Sequence, residues 1–495
     1  MATFDKLYRA EHWQYRAEGN ANLVLQYTGP EPCITTTLLR LRKTDRQIPT
    51  VAPVSNKNTS GISINSNVAK KADLVEEPMF VSKVMGLLLG QEFVEQLIPV
   101  SLPADFMREL AERIELSRPA DRLKKGIDFS QTVGFLALDH TKFIKPCTGQ
   151  PSVAVEIKPK WGFLPQSPFI PQDLDIKRRK CRFCMYQHSK MKSGQEETLS
   201  EFCPVDLCSG NELLVRNALN SLVKTPQNNL RLFIDGRQQP ISADSILRCF
   251  SGTSSVDKEK SDRAMDNAEV PQELPLMDLL AQILTQSLLL KRLARLQEGL
   301  DSLDVHTIHR FYVQLVDPIT NTLQQPTFEE FLNTAETFLY RTDMDEMMSK
   351  DHKAFLSNNV SSLGFGPEDD LDDPDTVPTR LKLHFIREFL LSMTLKDCSI
   401  LVTIRRDERA EETKGDRCRA ADNQQVASAK ADIPVFSEDC HGIKFGDQNF
   451  TYKITCIDLD PKKVNSIPMQ LKKDRDLVDH YLSTVGEREA SCGSR

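Results

Sequence analysis

The chain has 495 residues, of which 40% are hydrophobic and 27% are charged, and its formal net charge is −7. These values exclude a small disulfide-stapled fold and a wholly disordered chain, and the negative charge argues against nucleic-acid binding by bulk electrostatics. Leu276–Leu290, the richest apolar stretch, is interrupted by Asp278, Gln282 and Gln286, so it does not predict a membrane span. The first residues contain acidic side chains and no apolar segment, which is not typical of a secretory signal. We therefore expect a soluble protein in a reducing compartment, with neither a membrane nor a nucleic acid as its partner.

The first third of the sequence predicts an antiparallel sheet with accompanying helices. Apolar and polar residues alternate in Leu23–Tyr27 and Thr35–Leu41, on either side of the turn residues Gly29 and Pro30, which is typical of a β-hairpin. Helices are predicted over Pro78–Gly90 and Ala104–Leu116, and strands over Val133–Leu138 and Ser152–Ile157.

The sequence after residue 156 predicts a mainly helical region with a few strands. The predicted helices are Glu212–Val223, Leu274–Glu298, Val305–Val316, Thr327–Tyr340 and Leu381–Met393. Ser399–Ile404 and Phe450–Ile457 are rich in β-branched and aromatic residues and predict strands. Together the two parts predict an α+β fold.

A turn near the N-terminus, Tyr15–Val24, combines glycine and asparagine and leads directly into a strand. Such a turn exposes backbone N–H groups that can bind phosphate oxygens. No Gly-Lys-Ser/Thr follows, so the segment is not a P-loop. Taken alone, a plain hairpin turn is the commoner interpretation, and an exposed strand residue is the commoner interpretation of Arg40.

Charged residues are concentrated at the end of the predicted strand Ser152–Ile157. Residues two apart share a face of a strand, so Glu156, Lys158 and Lys160 can project together until Pro159 interrupts the ladder. A solvated strand end explains the two lysines equally well. The run Thr225–Arg231 would by itself be an ordinary polar loop.

Two aspartates adjoin later strands: Asp397 precedes Ser399–Ile404, and Asp458 follows Phe450–Ile457. Carboxylates at strand ends are the usual positions of a general base and a magnesium ligand in phosphoryl transfer. The spacing alone does not show that the two meet.

A cysteine-rich segment predicts a zinc site. Cys181, Cys184, His188 and Cys203 form the pattern Cys-x2-Cys-x3-His-x14-Cys, a set of soft ligands suited to tetrahedral zinc. Cys208 is an alternative fourth ligand, and buried cysteines with a surface histidine are the alternative interpretation. Four protein ligands leave no open position for water, so this zinc would be structural and would fix the loop 181–208.

Five segments together resemble the inositol-pentakisphosphate 2-kinase family, in the family's order: YRAEGNANLV, VEIKPKWGFLP, TPQNNLRLF, LKDCSI and IDLD. The resemblance extends from Trp13 to Asp474. It implies a two-lobed inositol-phosphate-kinase-like fold, with an N-terminal lobe of residues 1–155 and a mostly helical C-terminal lobe of residues 156–495 that contains a core sheet. It also implies transfer of the ATP γ-phosphate to the 2-hydroxyl of inositol 1,3,4,5,6-pentakisphosphate, giving the hexakisphosphate, phytate.

The resemblance further implies roles for individual residues, with ATP and Mg²⁺ as cofactors. Asp397 would accept the proton of the 2-hydroxyl and act together with Lys158, and Asp458 would bind magnesium. The nucleotide would be held by Gly19, Asn20, Ala21, Asn22, Arg40, Asp139, His140, Glu156, Lys158, Arg231 and Asp458. The inositol phosphates would be held by Arg122, Lys160, Lys190, Asn228, Asp397 and Lys462. Ser466 and Gln470 stand where some members place an arginine and a tyrosine against the substrate, so contact there is either weaker or supplied by Lys463, Lys472 or Lys473.

Two other functions are compatible with the sequence. One is a catalytically silent inositol-phosphate-binding or zinc-dependent interaction module. The presence of both Asp397 and Asp458 argues against this function. The other is an inositol-phosphate kinase of different positional specificity. We expect a monomer in the cytoplasm, the nucleus or both, and we interpret the basic cluster 177–180 as a surface or site-flanking patch rather than a nuclear signal.

Overall fold

The computed structural model describes residues 7–19, 21–31, 34–46, 76–145, 150–242, 245–246, 249, 275–342, 376–407, 436–486 and 492. Within these residues, twelve strands form two antiparallel sheets of six strands each. The strands are β1 (Trp13–Glu18), β2 (Asn22–Tyr27), β3 (Thr37–Asp45), β4 (Ile98–Ser101), β5 (Lys125–Ile127), β6 (Val133–Leu138), β7 (Val153–Ile157), β8 (Leu230–Ile234), β9 (Arg237–Gln239), β10 (Ser399–Asp407), β11 (His441–Phe445) and β12 (Gln448–Ile457).

The first sheet has the order β1-β2-β3-β6-β4, with β5 paired to β3. Burial alternates along β2, so that Leu23, Leu25 and Tyr27 face the interior. Because side chains alternate across a strand, this pattern buries one face of the sheet. That face packs on the apolar side of a helix, Ala104–Ile114. The predicted antiparallel pairing of the second and third strands is confirmed.

The second sheet has the order β11-β12-β10-β7-β8-β9. All five residues of β7 are buried, as are the first six of β10, which is why both strands are almost continuously apolar. The predicted boundary between residues 155 and 156 falls inside β7, and the whole of β7 pairs within this second sheet. The division into two lobes stays a prediction.

Most of the predicted helices are found, with small differences at their ends. The helices are α1 (Gly86–Leu89), α2 (Ala104–Ile114), α3 (Arg182–Lys192), α4 (Pro204–Leu207), α5 (Glu212–Lys224), α6 (Pro275–Gln286), α7 (Leu289–Gly299), α8 (Asp304–Leu315), α9 (Phe328–Arg341), α10 (Thr379–Leu395) and α11 (Ile467–Thr484). The prediction of one helix over Leu274–Glu298 was wrong, because α6 ends before Leu288, which has a left-handed φ of 57°. A leucine in that conformation cannot continue a right-handed helix.

The segment predicted as a helix over Pro78–Gly90 contains a π-helix, Phe80–Met85, followed by α1. Its buried residues belong to the same core as those of α6 to α10. The rings of Phe80 and Phe331 lie 5.2 Å apart in an edge-to-face arrangement. This segment therefore ties the N-terminal third of the chain to the helices of the C-terminal part.

The predicted α+β class is confirmed: helices and two antiparallel sheets are the main elements of the described part. None of the helices in this part is both long enough and apolar enough to cross a bilayer.

Candidate active site

The candidate catalytic residues lie at one end of the second sheet. β10 pairs with β7 on one side and with β12 on the other, and its first residue, Ser399, lies opposite Ile457. Because both pairings are antiparallel, the residues that follow β7 and β12 meet at the beginning of β10. Lys158 Nζ donates to Ser399 Oγ at 3.0 Å and lies 3.4 Å from Asp458 Oδ2. Sheet pairing thus brings together residues whose proximity the sequence spacing could not show.

Asp397 lies at the junction between α10 and β10. Its carboxylate is largely exposed, and Lys462 Nζ donates to its Oδ2 at 2.5 Å. The preceding residue, Lys396, is buried, where it forms an ion pair with Asp301 and lies 4.1 Å from the centroid of the Trp161 ring. The buried lysine fixes the backbone that carries the exposed aspartate.

A cavity of about 950 Å³ opens beside Asp397. The predicted substrate residues that line it are Lys160, Lys190, Asn228, Asp397 and Lys462. Arg182, Lys396 and Lys473 also line it, so six cationic side chains share the cavity with three carboxylates, those of Glu196, Asp397 and Asp476. An excess of converging cations suits a ligand with several phosphates.

Three residues at this site have left-handed backbone conformations: φ is 60° at Lys160, 46° at Gln227 and 63° at Asp458. Such conformations are strained for non-glycine residues and persist where the surroundings enforce them, often at functional sites. Gln227 accepts a hydrogen bond from Lys190 Nζ at 2.8 Å, and the carbonyl of Lys160 accepts one from Gln297 at 3.0 Å. These bonds hold the lysine-bearing segments in place.

Burial, together with the nearby charge of Lys158, lowers the pKa of Lys160 to about 8, although Asp397 acts in the opposite direction. Lys160 is therefore charged below about pH 8 in the free protein. A bound polyanion would favour the charged form, so binding should raise this pKa.

Arg182 is a cavity residue that the sequence interpretation missed. Its guanidinium pairs with Asp474 and lies 4.8 Å from the centroid of the Trp161 ring. Asp474 also pairs with Lys177 Nζ at 2.7 Å. Lys177 and Lys180 are both buried, so half of the cluster 177–180, interpreted as a surface patch, lies in the interior. The sequence did contain a signal for this residue, since Arg182 directly follows the basic run 177–180 and Cys181, the first predicted zinc ligand.

Helix α11 contributes one of the three lysines that the sequence left as alternatives. Lys473 lines the cavity, whereas Lys463 and Lys472 do not. Lys473 is exposed and has no hydrogen-bond or ion-pair partner among the described residues. Gln470 lies one turn before it on the same face and also lines the cavity, but Ser466 does not.

Arg122 is the predicted substrate residue that does not line the cavity in the described part of the chain. It ends the 3-10 turn Ala120–Arg122, and its Nε lies 3.2 Å from Asp121 Oδ2. Its proposed contact with a phosphate stays a prediction.

The turn between β1 and β2 contains the residues predicted to cover the nucleotide phosphates. Gly19 N–H donates to the carbonyl of Asn22 at 2.9 Å, which closes the turn, and Lys43 N–H donates to the carbonyl of Ala21 at 2.8 Å. The space beside the Gly19 Cα is open. Asn20 lies outside the described residues.

Arg40 is buried on β3 next to this turn. Its Nη1 donates to Glu95 Oε1 at 2.7 Å and its Nη2 donates to Asp460 Oδ1 at 3.0 Å. Burial opposes the charge of Arg40, but these carboxylates outweigh it and raise its pKa above the ordinary value. Because Asp460 is two residues beyond Asp458, the arginine is connected to the strand end that carries the candidate metal ligand.

Glu156 and Arg231 lie directly opposite each other on β7 and β8. Arg231 Nη1 lies 3.2 Å from Glu156 Oε2, and the carboxylate is buried whereas the guanidinium is partly exposed. The structure brings these two predicted nucleotide residues together as a cross-strand ion pair.

A second cavity, of about 270 Å³, is lined by Leu138, His140 and Thr455, among others. His140 Nδ1 lies 3.1 Å from Thr455 Oγ1, and its Nε2 is shielded from solvent with no hydrogen-bond partner among the described residues. Burial lowers the pKa of His140 to about 3, with a smaller effect of Lys453, so the imidazole is neutral. A buried ring nitrogen without a partner fits the polar edge of a nucleobase.

Asp139 stabilises the turn that precedes this histidine. Its Oδ1 accepts hydrogen bonds from both the backbone N–H and the hydroxyl of Thr141, and its own N–H donates to the carbonyl of Thr36 at 2.7 Å. Its side chain shapes the turn, and its predicted contact with the nucleotide stays a prediction.

Four cysteines form a cluster that fits a metal ion: the sulfur atoms of Cys181, Cys184, Cys203 and Cys492 all lie within 4.8 Å of one another. Cys184 N–H donates to Cys181 Sγ at 3.4 Å, and Cys181 N–H donates to Cys492 Sγ at 3.5 Å. Such a donor set suits structural zinc. The fourth member is Cys492.

His188 and Cys208, the other ligands that were considered, are not members of this cluster. His188 packs its ring against Tyr481, with the ring centroids 5.3 Å apart. Cys492 lies more than three hundred positions from Cys181, so motif spacing could not reveal it.

Known proteins of one family match this chain over nearly its whole length. The family model described as inositol-pentakisphosphate 2-kinase matches residues 15–476. The inositol-pentakisphosphate 2-kinase of Oryza sativa subsp. indica is 28% identical over 486 residues, which cover 95% of this chain and 94% of the relative. The protein of the same name from Arabidopsis thaliana is 26% identical, covering 95% and 93%. That from Danio rerio is 25% identical over 535 residues, covering 96% and 93%.

Proposed function

This chain belongs to the inositol-pentakisphosphate 2-kinase family, and we propose that it transfers the γ-phosphate of ATP to the 2-hydroxyl of inositol 1,3,4,5,6-pentakisphosphate. The product would be inositol hexakisphosphate, phytate. Membership of the family makes the chain a transferase.

The observation that carries this proposal is the contact between Lys158 and Asp458 at the end of the second sheet where Asp397 precedes β10, together with the cation-rich cavity that Asp397 lines. Phosphoryl transfer requires little covalent chemistry from the protein, and its catalysis consists mainly of positioning and charge stabilisation. The carboxylate of Asp397 can position the acceptor hydroxyl, and the cations of the cavity can stabilise the phosphate charge.

We assign the general base to Asp397, which would accept the proton of the 2-hydroxyl. Its contact with Lys462 orients the carboxylate, and the same lysine can bind a substrate phosphate once the substrate is present. Lys158 would stabilise the charge on the transferred phosphoryl group, since its ammonium lies between Ser399 and Asp458.

The cationic cavity would bind the inositol pentakisphosphate. A pentakisphosphate carries roughly eight to ten negative charges near neutral pH, because the second phosphate pKa is about 6. Lys160, Lys190, Lys462 and Lys473 come from four different segments and reach the cavity together, with Asn228 as a hydrogen-bond donor. A protein with a net charge of −7 can thus bind a polyanion through a local site.

The nucleotide would lie between the turn at Gly19–Asn22 and the segment at His140. The buried Nε2 of His140, which has no hydrogen-bond partner among the described residues, fits the edge of adenine, and Arg40, on β3 beside the turn, would face the phosphates. Asp458, an exposed carboxylate, is the proposed magnesium ligand. Bound Mg²⁺ would neutralise charge on the transferring phosphates.

We propose that Cys181, Cys184, Cys203 and Cys492 hold a structural zinc ion. The fit rests on four sulfur atoms within 4.8 Å of one another and on the N–H groups that donate to two of them. Helix α3, which begins beside Cys181, carries Lys190 into the cavity. Zinc would therefore act indirectly, by fixing this helix.

The two lobes, the monomeric state and a cytoplasmic or nuclear location are further parts of the proposal. Size-exclusion chromatography with light scattering tests the monomer, and imaging of a tagged chain in its own cell type tests the location.

The test of the proposed activity is incubation of the purified chain with γ-labelled ATP, Mg²⁺ and inositol 1,3,4,5,6-pentakisphosphate. We expect label in the hexakisphosphate fraction. Binding of the pentakisphosphate without any transfer of label would instead favour a catalytically silent module.

A further inference from the structure

Asp460 connects the hairpin formed by β2 and β3 to the end of the second sheet. Its Oδ1 accepts a hydrogen bond from Arg40 Nη2 at 3.0 Å, and its Oδ2 accepts one from Asn22 Nδ2 at 3.0 Å. Both carboxylate oxygens are therefore engaged, one by β3 and one by the first residue of β2. These partners are more than four hundred positions away in the sequence.

The orientation of the Arg40 guanidinium depends on Asp460. Nη1 is held by Glu95 at 2.7 Å, whereas Nη2 has Asp460 at 3.0 Å and the more distant Glu77 at 3.6 Å. Since a guanidinium is a planar fork, two carboxylates on different nitrogens fix its plane. Without Asp460, Nη2 would retain only the weaker contact.

The backbone of Asp460 is itself held in place. Its carbonyl accepts a hydrogen bond from Thr394 Oγ1 at 3.3 Å, near the end of α10. Asp458 and Asp460 are separated by Leu459, which is completely buried and anchors the segment. The position of Asp460 is therefore set by the same elements that set Asp397 and Asp458.

We propose that Asp460 is a positioning residue that holds Arg40 and Asn22 in the geometry needed to bind the nucleotide phosphates over Asp458. The inference rests on the proposed function for the identity of the ligand. It predicts a nucleotide-specific defect, because none of the contacts of Asp460 reaches the residues that line the cationic cavity.

The variant Asp460→Asn tests this inference, since it keeps the size of the side chain and removes its charge. The amide oxygen can occupy only one of the two carboxylate oxygen positions, so either Arg40 or Asn22 would face the amide nitrogen, which is itself a donor. We expect KM for ATP and Kd for ADP to rise about tenfold, the change that accompanies loss of charge-assisted hydrogen bonds. KM for the pentakisphosphate should stay within about twofold of the wild type.

Asp407→Asn is a matched control. Asp407 lies at the opposite end of β10 from Asp397 and accepts a hydrogen bond from Thr451 at 2.6 Å. This variant should leave both KM values unchanged, although it also removes a bonded carboxylate from the same sheet.

Two results would overturn the inference: an unchanged Kd for ADP in Asp460→Asn, or equal increases in both KM values together with a large fall in the melting temperature. The second result would indicate a purely structural residue. Calorimetric ADP binding needs no turnover, so it tests Asp460 even if the wild type fails to phosphorylate the pentakisphosphate. That failure would contradict the proposed function alone.

Discussion

Lys462 Nζ lies 2.5 Å from Asp397 Oδ2, so the proposed general base is paired in the free protein with a residue proposed to bind substrate phosphate. The pair lies at the mouth of the cationic cavity, and both residues line it. A substrate phosphate that attracts Lys462 would leave the carboxylate facing the hydroxyl. Binding and proton acceptance are thereby coupled through one ion pair.

Replacement of Asp397 by Asn should lower kcat by about 10²- to 10⁴-fold, the range for loss of a general base, because the amide cannot accept the proton of the 2-hydroxyl. Kd for ADP should change by less than about twofold, since the carboxylate makes none of the contacts of the hairpin or of His140. Steady-state kinetics and calorimetry measure the two effects, with Asp407→Asn as the control. Retained turnover would remove Asp397 from this role.

Replacement of Lys473 by Ala should raise KM for the pentakisphosphate by about three- to tenfold, the change expected for loss of one exposed charged contact. The matched control is Lys472→Ala, which removes the neighbouring lysine that does not line the cavity. KM for ATP should be unchanged in both variants. Equal effects of the two substitutions would show that general charge, not the position of Lys473, is responsible.

The activity should depend on pH through Lys160. Its pKa is lowered to about 8, so its charge is present below that pH and is lost as the pH rises through it. We expect kcat/KM for the pentakisphosphate to decline above about pH 8, because the neutral amine no longer attracts phosphate. In Lys160→Arg the decline should move to higher pH, since a guanidinium keeps its proton. If kcat/KM declines with the same midpoint pH in the variant, the decline is due to another group.

Elemental analysis of the purified chain should find about one zinc ion per molecule, as expected for a four-cysteine site. Cys492→Ser should lose most of this zinc and lower the melting temperature, because three ligands remain. His188→Asn is the control and should keep its zinc, since His188 packs on Tyr481. Zinc loss in the histidine variant with full retention in the cysteine variant would reverse this ligand assignment.

The sequence predicted the elements with strong local patterns. Val133–Leu138 was predicted with the bounds that the structure has, and the α+β class follows from such segments. The break at Leu288 was missed because no glycine or proline marks it: an exposed leucine takes the left-handed conformation there. Helix propensity favours leucine, so it gave no sign of a helix end at this position.

The sequence was less informative about contacts between distant segments. Lys158 and Asp458 were each recognised at a strand end, but their proximity depends on the pairing of β7, β10 and β12. Cys492 and Asp460 contact residues more than three hundred positions away in the sequence, and no motif spacing covers such separations. Only the folded chain shows these relationships.

The position of the new phosphate on the product is the most direct test of 2-kinase activity. The purified chain is incubated with ATP, Mg²⁺ and inositol 1,3,4,5,6-pentakisphosphate, and the product is examined by phosphorus and proton NMR. We expect a phosphate on carbon 2 in the wild type, and its formation should be about 10²- to 10⁴-fold slower in Asp397→Asn. A diphosphate formed on one of the existing phosphates, or an unchanged substrate in the presence of bound ATP, would contradict it.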